Sequence, residues 1–180
     1  TKRDWKQLAA DDQLVHLLHL APINGTKPIG ALGKYIRLGE AQEVHKGYKC
    51  SIREPWYVVP SVWNPDAFVF RQIYDFPRVV LNAAGATSTD TIHRMRCKTG
   101  NPRATISNTY TSLTAASAEI EGRSYGGGVL ELEPTEAERL LMPAKLSPAL
   151  PLDECDRLIR NGRLDAVLDE NDRLVLKETM

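Results

Sequence analysis

The chain has 180 residues, 42% of them hydrophobic, with 23 Lys and Arg against 23 Asp and Glu, which is enough for one substantial core and a small addition. No apolar run approaches the roughly 18 residues of a membrane span, and no basic-then-apolar leader opens the chain, so a cytoplasmic protein without a membrane partner is expected. Three cysteines, Cys50, Cys97 and Cys155, lack any Cys-x-x-Cys spacing and point to reduced core thiols, with neither a disulfide framework nor a metal site.

The zero net charge hides an asymmetry. Thirteen bases stand against eight acids between Lys27 and Gly128, and seven bases against twelve acids from Val129 onward. A basic body with an acidic tail suits a polyanion on the first part alone. The opening at Thr1, without a methionine and with a charged, pattern-poor start, suggests a piece of a longer polypeptide.

In chain order, Asp12–Leu20 is rich in Leu and Val and is stopped by Ala21-Pro22 and Asn24-Gly25, which predicts a buried strand. On a strand His16 and His19 point to opposite faces, against a paired metal site. Pro28–Val44 has Ile29, Leu32, Ile36 and Ala41 at roughly helical spacing and predicts an amphipathic helix. The run His45–Pro60 interleaves Lys46, Lys49 and Arg53 with Tyr48, Trp56 and Tyr57. It reads either as a strand with Trp56 in the core, or as a surface that grips phosphates and rests rings on sugars or bases.

Asp66–Phe70 and Arg78–Asn82 predict two strands joined by Tyr74-Asp75-Phe76-Pro77 turn chemistry. The loop Asn82–Asp90 is small and hydroxylated. It suits contacts to phosphates and base edges, or is simply a solvated hairpin loop. Thr91–Cys97 predicts a strand that sets Ile92, Met95 and Cys97 against His93, Arg94 and Arg96. Asn101-Pro102 makes an N-cap and first turn for one helix over Arg103–Glu121, buried along Ile106, Tyr110, Leu113 and Ala116 or Ser117 and ended by Gly122.

The stretch Gly122–Pro134 follows. Its three glycines beside Arg123 and Tyr125 read as a helix cap and tight turn, or as a backbone that comes close to a phosphate or base. Thr135–Glu138 opens a short helix stopped at Met142-Pro143. Pro148 and Pro151 mark a linker, and Leu152–Met180 returns to helical spacing broken at Asn161-Gly162.

Several chemistries lack a signature. There is no G-x-G-x-x-G after a strand, and the triple glycine has no Gly-Lys-Ser/Thr ending. Asn64-Pro65-Asp66-Ala67-Phe68 lacks the second proline of the tetrapeptide with which amino-methylating enzymes hold a target amine. An enzyme site built on His93 and Asp90 has no paired acid–base spacing behind it.

Taken as an ordered series, Tyr48–Pro60, then Arg78–Asn82 with Thr87-Ser88-Thr89, then Asn108–Pro134, the sequence resembles the C-terminal target-recognition part of bacterial adenine-specific DNA methyltransferases of restriction-modification type. The resemblance covers roughly residues 13–143, and Gly122–Pro134 is its most specific piece. Thr111-Ser112-Leu113 stands where that family usually has Asn-Ser, so a contact from that asparagine amide is missing. The catalytic half of such enzymes, with its cofactor glycines, has no counterpart.

The resemblance implies a DNA target-recognition domain over residues 1–143 with a linker and helical tail over 144–180. It also implies duplex DNA and a catalytic domain of the same polypeptide as partners. No cofactor belongs to this segment; S-adenosylmethionine belongs to the parent enzyme. The fold class expected is α+β, a twisted, mostly antiparallel sheet with packed helices and a small C-terminal helical appendage. Lys46, Lys49, Arg53 and Arg94 are expected on phosphates, and Thr87, Ser88, Thr89, Arg123 and Tyr125 nearest the bases. Trp56, Tyr57, Asn82, Ser124, Gly126 and Gly127 complete the expected DNA-binding set. The rival expectation is a protein-interaction module that uses the Trp56/Tyr57 surface and the acidic tail.

Overall fold

Gly39 leaves the space in which Trp56 lies against a helix. The computed structural model describes residues 2–13, 16–20, 28–98, 100–143 and 149–176, and the chain divides into two units, Thr1–Trp63 and Asn64–Met180. In the first, helix α1 (Lys2–Ala10) sets Trp5, Leu8 and Ala9 on one face, with Trp5 and Ala9 half-buried one turn apart. Helix α2 (Gly30–Ala41) buries Gly33 and Ile36, three apart on one face. A 3-10 turn (Val44–Lys46) and a single helical turn α3 (Tyr48–Ser51) follow.

Two expectations about this unit are corrected. Asp12–Leu20 is not a buried strand: Gln13 and residues 16–20 carry no regular structure, and Leu17 and Leu18 are about half exposed. An apolar run is a strand only where another strand satisfies its backbone, and none pairs with this one among the described residues. The turn signals placed at residues 21–25 lie outside the described residues. His45–Pro60 is not a strand either. Instead of standing on a sheet, Trp56 lies against α2, where a Cβ on Gly39 would come within 2.7 Å of its ring. Its indole N–H points at Glu40 Oε1, 3.5 Å away, and Tyr57 meets the ring edge-on at 5.9 Å.

In the second unit, strands β1 (Ala67–Phe70), β3 (Val79–Leu81) and β4 (Ile92–Met95) make an antiparallel sheet of order β3-β1-β4. A second antiparallel sheet has the order β2-β6-β5, from β2 (Gln72–Ile73), β5 (Arg123–Tyr125) and β6 (Val129–Glu131). Arg71, between β1 and β2, is the corner at which one nearly continuous extended segment leaves the first sheet and joins the second. The mixed α+β class is as expected, with the strands in two small sheets rather than one.

Alternation sets the faces. Ala67 and Val69 are buried while Phe68 and Phe70 are not. In register, Phe68 lies opposite Arg94 and Val69 opposite His93. Ile92 therefore shares the outer face with Arg94, and Met95 shares the inner one with His93, so β4 does not set its apolar residues against its basic ones.

The helix expected over Arg103–Glu121 is two helices, α4 (Pro102–Thr109) and α5 (Ser112–Glu121). Asn101 caps α4 by accepting from the Ala104 N–H at 3.2 Å. Tyr110 leaves the helix to donate its hydroxyl to the Val79 carbonyl at 2.9 Å, its ring stacked on Phe76. Thr111 then begins a new helix as its N-cap. The break changes the buried phase, so Thr114, Ser117 and Ala118 face inward while Leu113 is 38% exposed.

Helix α6 (Pro134–Arg139) is followed by α7 (Leu152–Arg160), α8 (Leu164–Asn171) and a π-helical turn (Asp172–Leu176). These C-terminal helices share the main core: Cys155 and Val167 are fully buried in one cluster with Val79, Ile106 and Leu132. Asn171 locks them in. Its amide donates to the carbonyls of Ser107 and Tyr110, both at 3.0 Å, and its oxygen accepts from the Leu150 N–H at 2.9 Å.

Candidate nucleic-acid interface

The expected DNA-binding residues divide between the two units. Lys46, Lys49, Arg53, Trp56 and Tyr57 belong to the first. Asn82, Thr87, Ser88, Thr89, Arg94, Arg123, Ser124, Tyr125, Gly126 and Gly127 belong to the second.

In the first unit the basic residues come together through local structure. The 3-10 turn and α3 place Lys46 and Lys49 in consecutive turns, both exposed, with Arg53 half-buried just beyond. Lys46 is paired to Glu43 three residues earlier, an exposed pair worth little to stability and easily exchanged for a phosphate. Trp56 and Tyr57 are half-buried, and the six-membered ring of Trp56 lies against Gly39.

In the second unit the loop after β3 is built by Asn82. Its amide N–H groups donate to the carbonyls of Pro65 and Ala86, each at 2.8 Å, and its oxygen accepts from the Ala86 N–H at 2.9 Å. With those three bonds made, Asn82 shapes the loop that carries Thr87, Ser88 and Thr89. Ser88 donates to the Ile92 carbonyl at 3.3 Å, and Thr89 is exposed. His93 donates from Nε2 to the Leu132 carbonyl at 2.7 Å and so ties one sheet to the other. The Asn64–Phe68 stretch is structural as well: Asp66 accepts from the Cys97 N–H at 2.8 Å and Pro65 is buried.

The glycine-rich stretch forms a hairpin. Arg123 pairs with Glu131, Ser124 with Leu130 and Tyr125 with Val129, while β2 pairs with Leu130 and Glu131 alone. The Tyr125–Val129 end is thus a two-stranded ribbon projecting past its neighbour. Gly127 and Gly128 turn it with φ of 86° and 78°, the left-handed region glycine enters without strain.

Gly122 does end the helix, but at φ −71°. It is needed for close approach: a Cβ there would lie 2.7 Å from the Ala118 carbonyl oxygen and 2.8 Å from Leu130. Arg123, Ser124 and Tyr125 are all exposed; they follow the helix end directly, as expected, and form an edge strand.

The charge of this hairpin is balanced by one short segment. Glu136 of α6 receives Arg123 Nη2 at 2.7 Å and Nε at 3.2 Å on the same oxygen. The guanidinium holds the Glu136 carboxyl below its ordinary range, and the carboxylate raises Arg123 in turn. Glu131 and Glu133 both pair with Arg71. A depression of about 350 Å³ lies where the two sheets meet, lined by Phe70, Arg71, Gln72, Thr91 and Glu131. It joins the start of β4, where the Asn82 loop ends, to the strand that carries the hairpin.

Arg71 is the residue sequence reasoning missed. Its signal was faint: a lone arginine between two short apolar runs, with its carboxylate partners sixty residues away. Among the described residues no group of three or more His, Cys, Asp or Glu could hold a metal ion, and no helix is long and apolar enough to cross a membrane.

Residues 1–176 match the family model described as type II methyltransferase M.Eco57I, C-terminal domain. No curated protein and no solved structure matched the chain.

Proposed function

Because the chain belongs to the family of the M.Eco57I-type type II methyltransferase C-terminal domain, we propose that it is the part of an adenine-specific DNA methyltransferase that holds and reads the duplex. A catalytic domain of the same polypeptide, using S-adenosylmethionine, modifies the adenine. An enzyme that acts on an exocyclic amine must take the base out of the stack, and a second part must grip the helix while it does so. In this reading residues 1–143 are the recognition part and 144–180 a helical tail, a functional division separate from the packing one.

The observation that carries the reading is the projecting hairpin. The DNA major groove admits a two-stranded ribbon; here Tyr125 and a tip of three glycines form it, and Arg123 and Ser124, also exposed, stand at its base on the edge strand β5. The Thr87–Thr89 loop shares the unit and contacts bases or sugars beside it. Lys46, Lys49, Arg53 and Arg94 hold phosphates and set the register, since phosphate contacts position and base contacts specify. Trp56 and Tyr57 offer ring edges to the backbone sugars.

Fluorescence anisotropy with a labelled 30-base-pair duplex tests this. Binding at 50 mM salt, weakened at least tenfold at 200 mM and weakened further in Lys46→Ala/Lys49→Ala, is the expected result. Affinity that does not change between the two salt concentrations would sink the phosphate assignment. Absence of binding at low salt would favour a protein-interaction module.

A further inference from the structure

Arg123 is an exposed side chain held by a buried one. Its side chain is 57% exposed against 11% for that of Glu136, whose second oxygen, Oε2, is buried without a side-chain partner. Burying a carboxylate costs free energy unless it is paired, and the Arg123 guanidinium is the largest of the groups that stabilise this one, ahead of the backbone of Glu133 and Glu136 at the start of α6.

The edge used is informative. A guanidinium has two forks, the side-on one of Nε and Nη2 and the end-on one of Nη1 and Nη2. Glu136 takes Nε and Nη2 with a single oxygen, which leaves the end-on fork pointing away from the carboxylate. A bidentate contact to guanine O6 and N7 needs such a fork. A phosphate grip, by contrast, needs unneutralised charge and tolerates a loose side chain.

We propose that Glu136 is a positioning residue for sequence readout, holding Arg123 by its side-on fork so that the end-on fork meets a guanine in the major groove, while its charge keeps Arg123 from gripping phosphates indiscriminately. This rests on the DNA-recognition reading above. It assigns to the hairpin the reading of a G·C pair, and it separates that task from the phosphate contacts of the lysines in the first unit.

The test is selection from a pool of random-sequence duplexes by the chain and its Glu136→Ala and Glu136→Gln variants, with circular dichroism and thermal melts confirming that each is folded. The wild type enriches a motif. Glu136→Ala loses discrimination at one G·C position by about tenfold or more and keeps the rest. Glu136→Gln, whose amide oxygen accepts the same two bonds without the charge, keeps the motif, and the slope of log affinity against log salt steepens by about one.

An unchanged motif in folded Glu136→Ala, or a wild-type salt slope in Glu136→Gln, overturns the proposal and leaves the DNA-recognition reading standing. A wild type that enriches nothing removes both. If Glu136→Ala does not fold, the slope and motif of Glu136→Gln decide alone.

Discussion

At the scale of single residues, burial gives polar groups their structural work. Tyr110 is removed from water between Phe76 and β3, and that burial pushes its phenol up to about 12. A raised folded-state value means stability that is complete below the ordinary value near 10 and is lost as pH rises toward 12, about 2–3 kcal/mol in all. Urea denaturation followed from pH 8 to 12 should show this fall, and Tyr110→Phe should flatten it. The opposite sign holds for Glu136. Its carboxyl is depressed by Arg123, so that pair contributes at neutral pH and is lost as pH falls through the depressed value. Burial likewise raises the Cys155 thiol, which should resist alkylation by iodoacetamide until the protein unfolds. The sequence places Tyr110 on the buried stripe of a single helix. Its departure from the helix was not legible, because the Val79 carbonyl it reaches is thirty-one residues away.

At the scale of elements, the three tip glycines are not equivalent. Gly127 and Gly128 have positive φ, Gly126 does not, and none would have a Cβ contact within 4 Å. Alanine at 127 or at 128 should therefore cost roughly 1–2 kcal/mol, while Gly126→Ala should be nearly neutral, as thermal melts of the three variants would register. Gly122→Ala belongs to a different class. Its Cβ would collide with the Ala118 carbonyl and with Leu130, an overpacking cost of about 1–3 kcal/mol. A helix end and a turn were both legible in Gly122–Gly128 from glycine content. That the turn belongs to a hairpin, with Arg123 on an edge strand facing Glu136, was not, since pairing is a property of two segments.

At the scale of the whole molecule, the C-terminal helices are part of what holds the second unit together. A chain ending at residue 143 loses Cys155 and Val167 from the core and the three hydrogen bonds of Asn171, and should show no cooperative thermal transition. Residues 64–180 should melt cooperatively, because their core residues lie on their own side of the division at Trp63. Differential scanning calorimetry of the two fragments measures both expectations. The acidic C-terminal helices thus pack into the core of this unit. Arg103 reaches Asp153 and the Ser112 N–H reaches Asp172, so part of the acidity is spent on this unit itself.

By itself the sequence determined the α+β class, the strands expected at Asp66–Phe70, Arg78–Asn82 and Thr91–Cys97 to within two residues at each end, the Asn101-Pro102 helix start and the ordered motifs of the family. These rest on local alternation, capping and glycine content, which neighbours along the chain are enough to express. Tertiary structure decided the rest. It turned His45–Pro60 from a strand into turns around Trp56 and broke the long helix at Tyr110. It also set Arg71 and Arg123 against the glutamates of residues 131–136. In each case a side chain found a partner distant in sequence, and the free energy of that contact outweighed the local preference that the sequence displays.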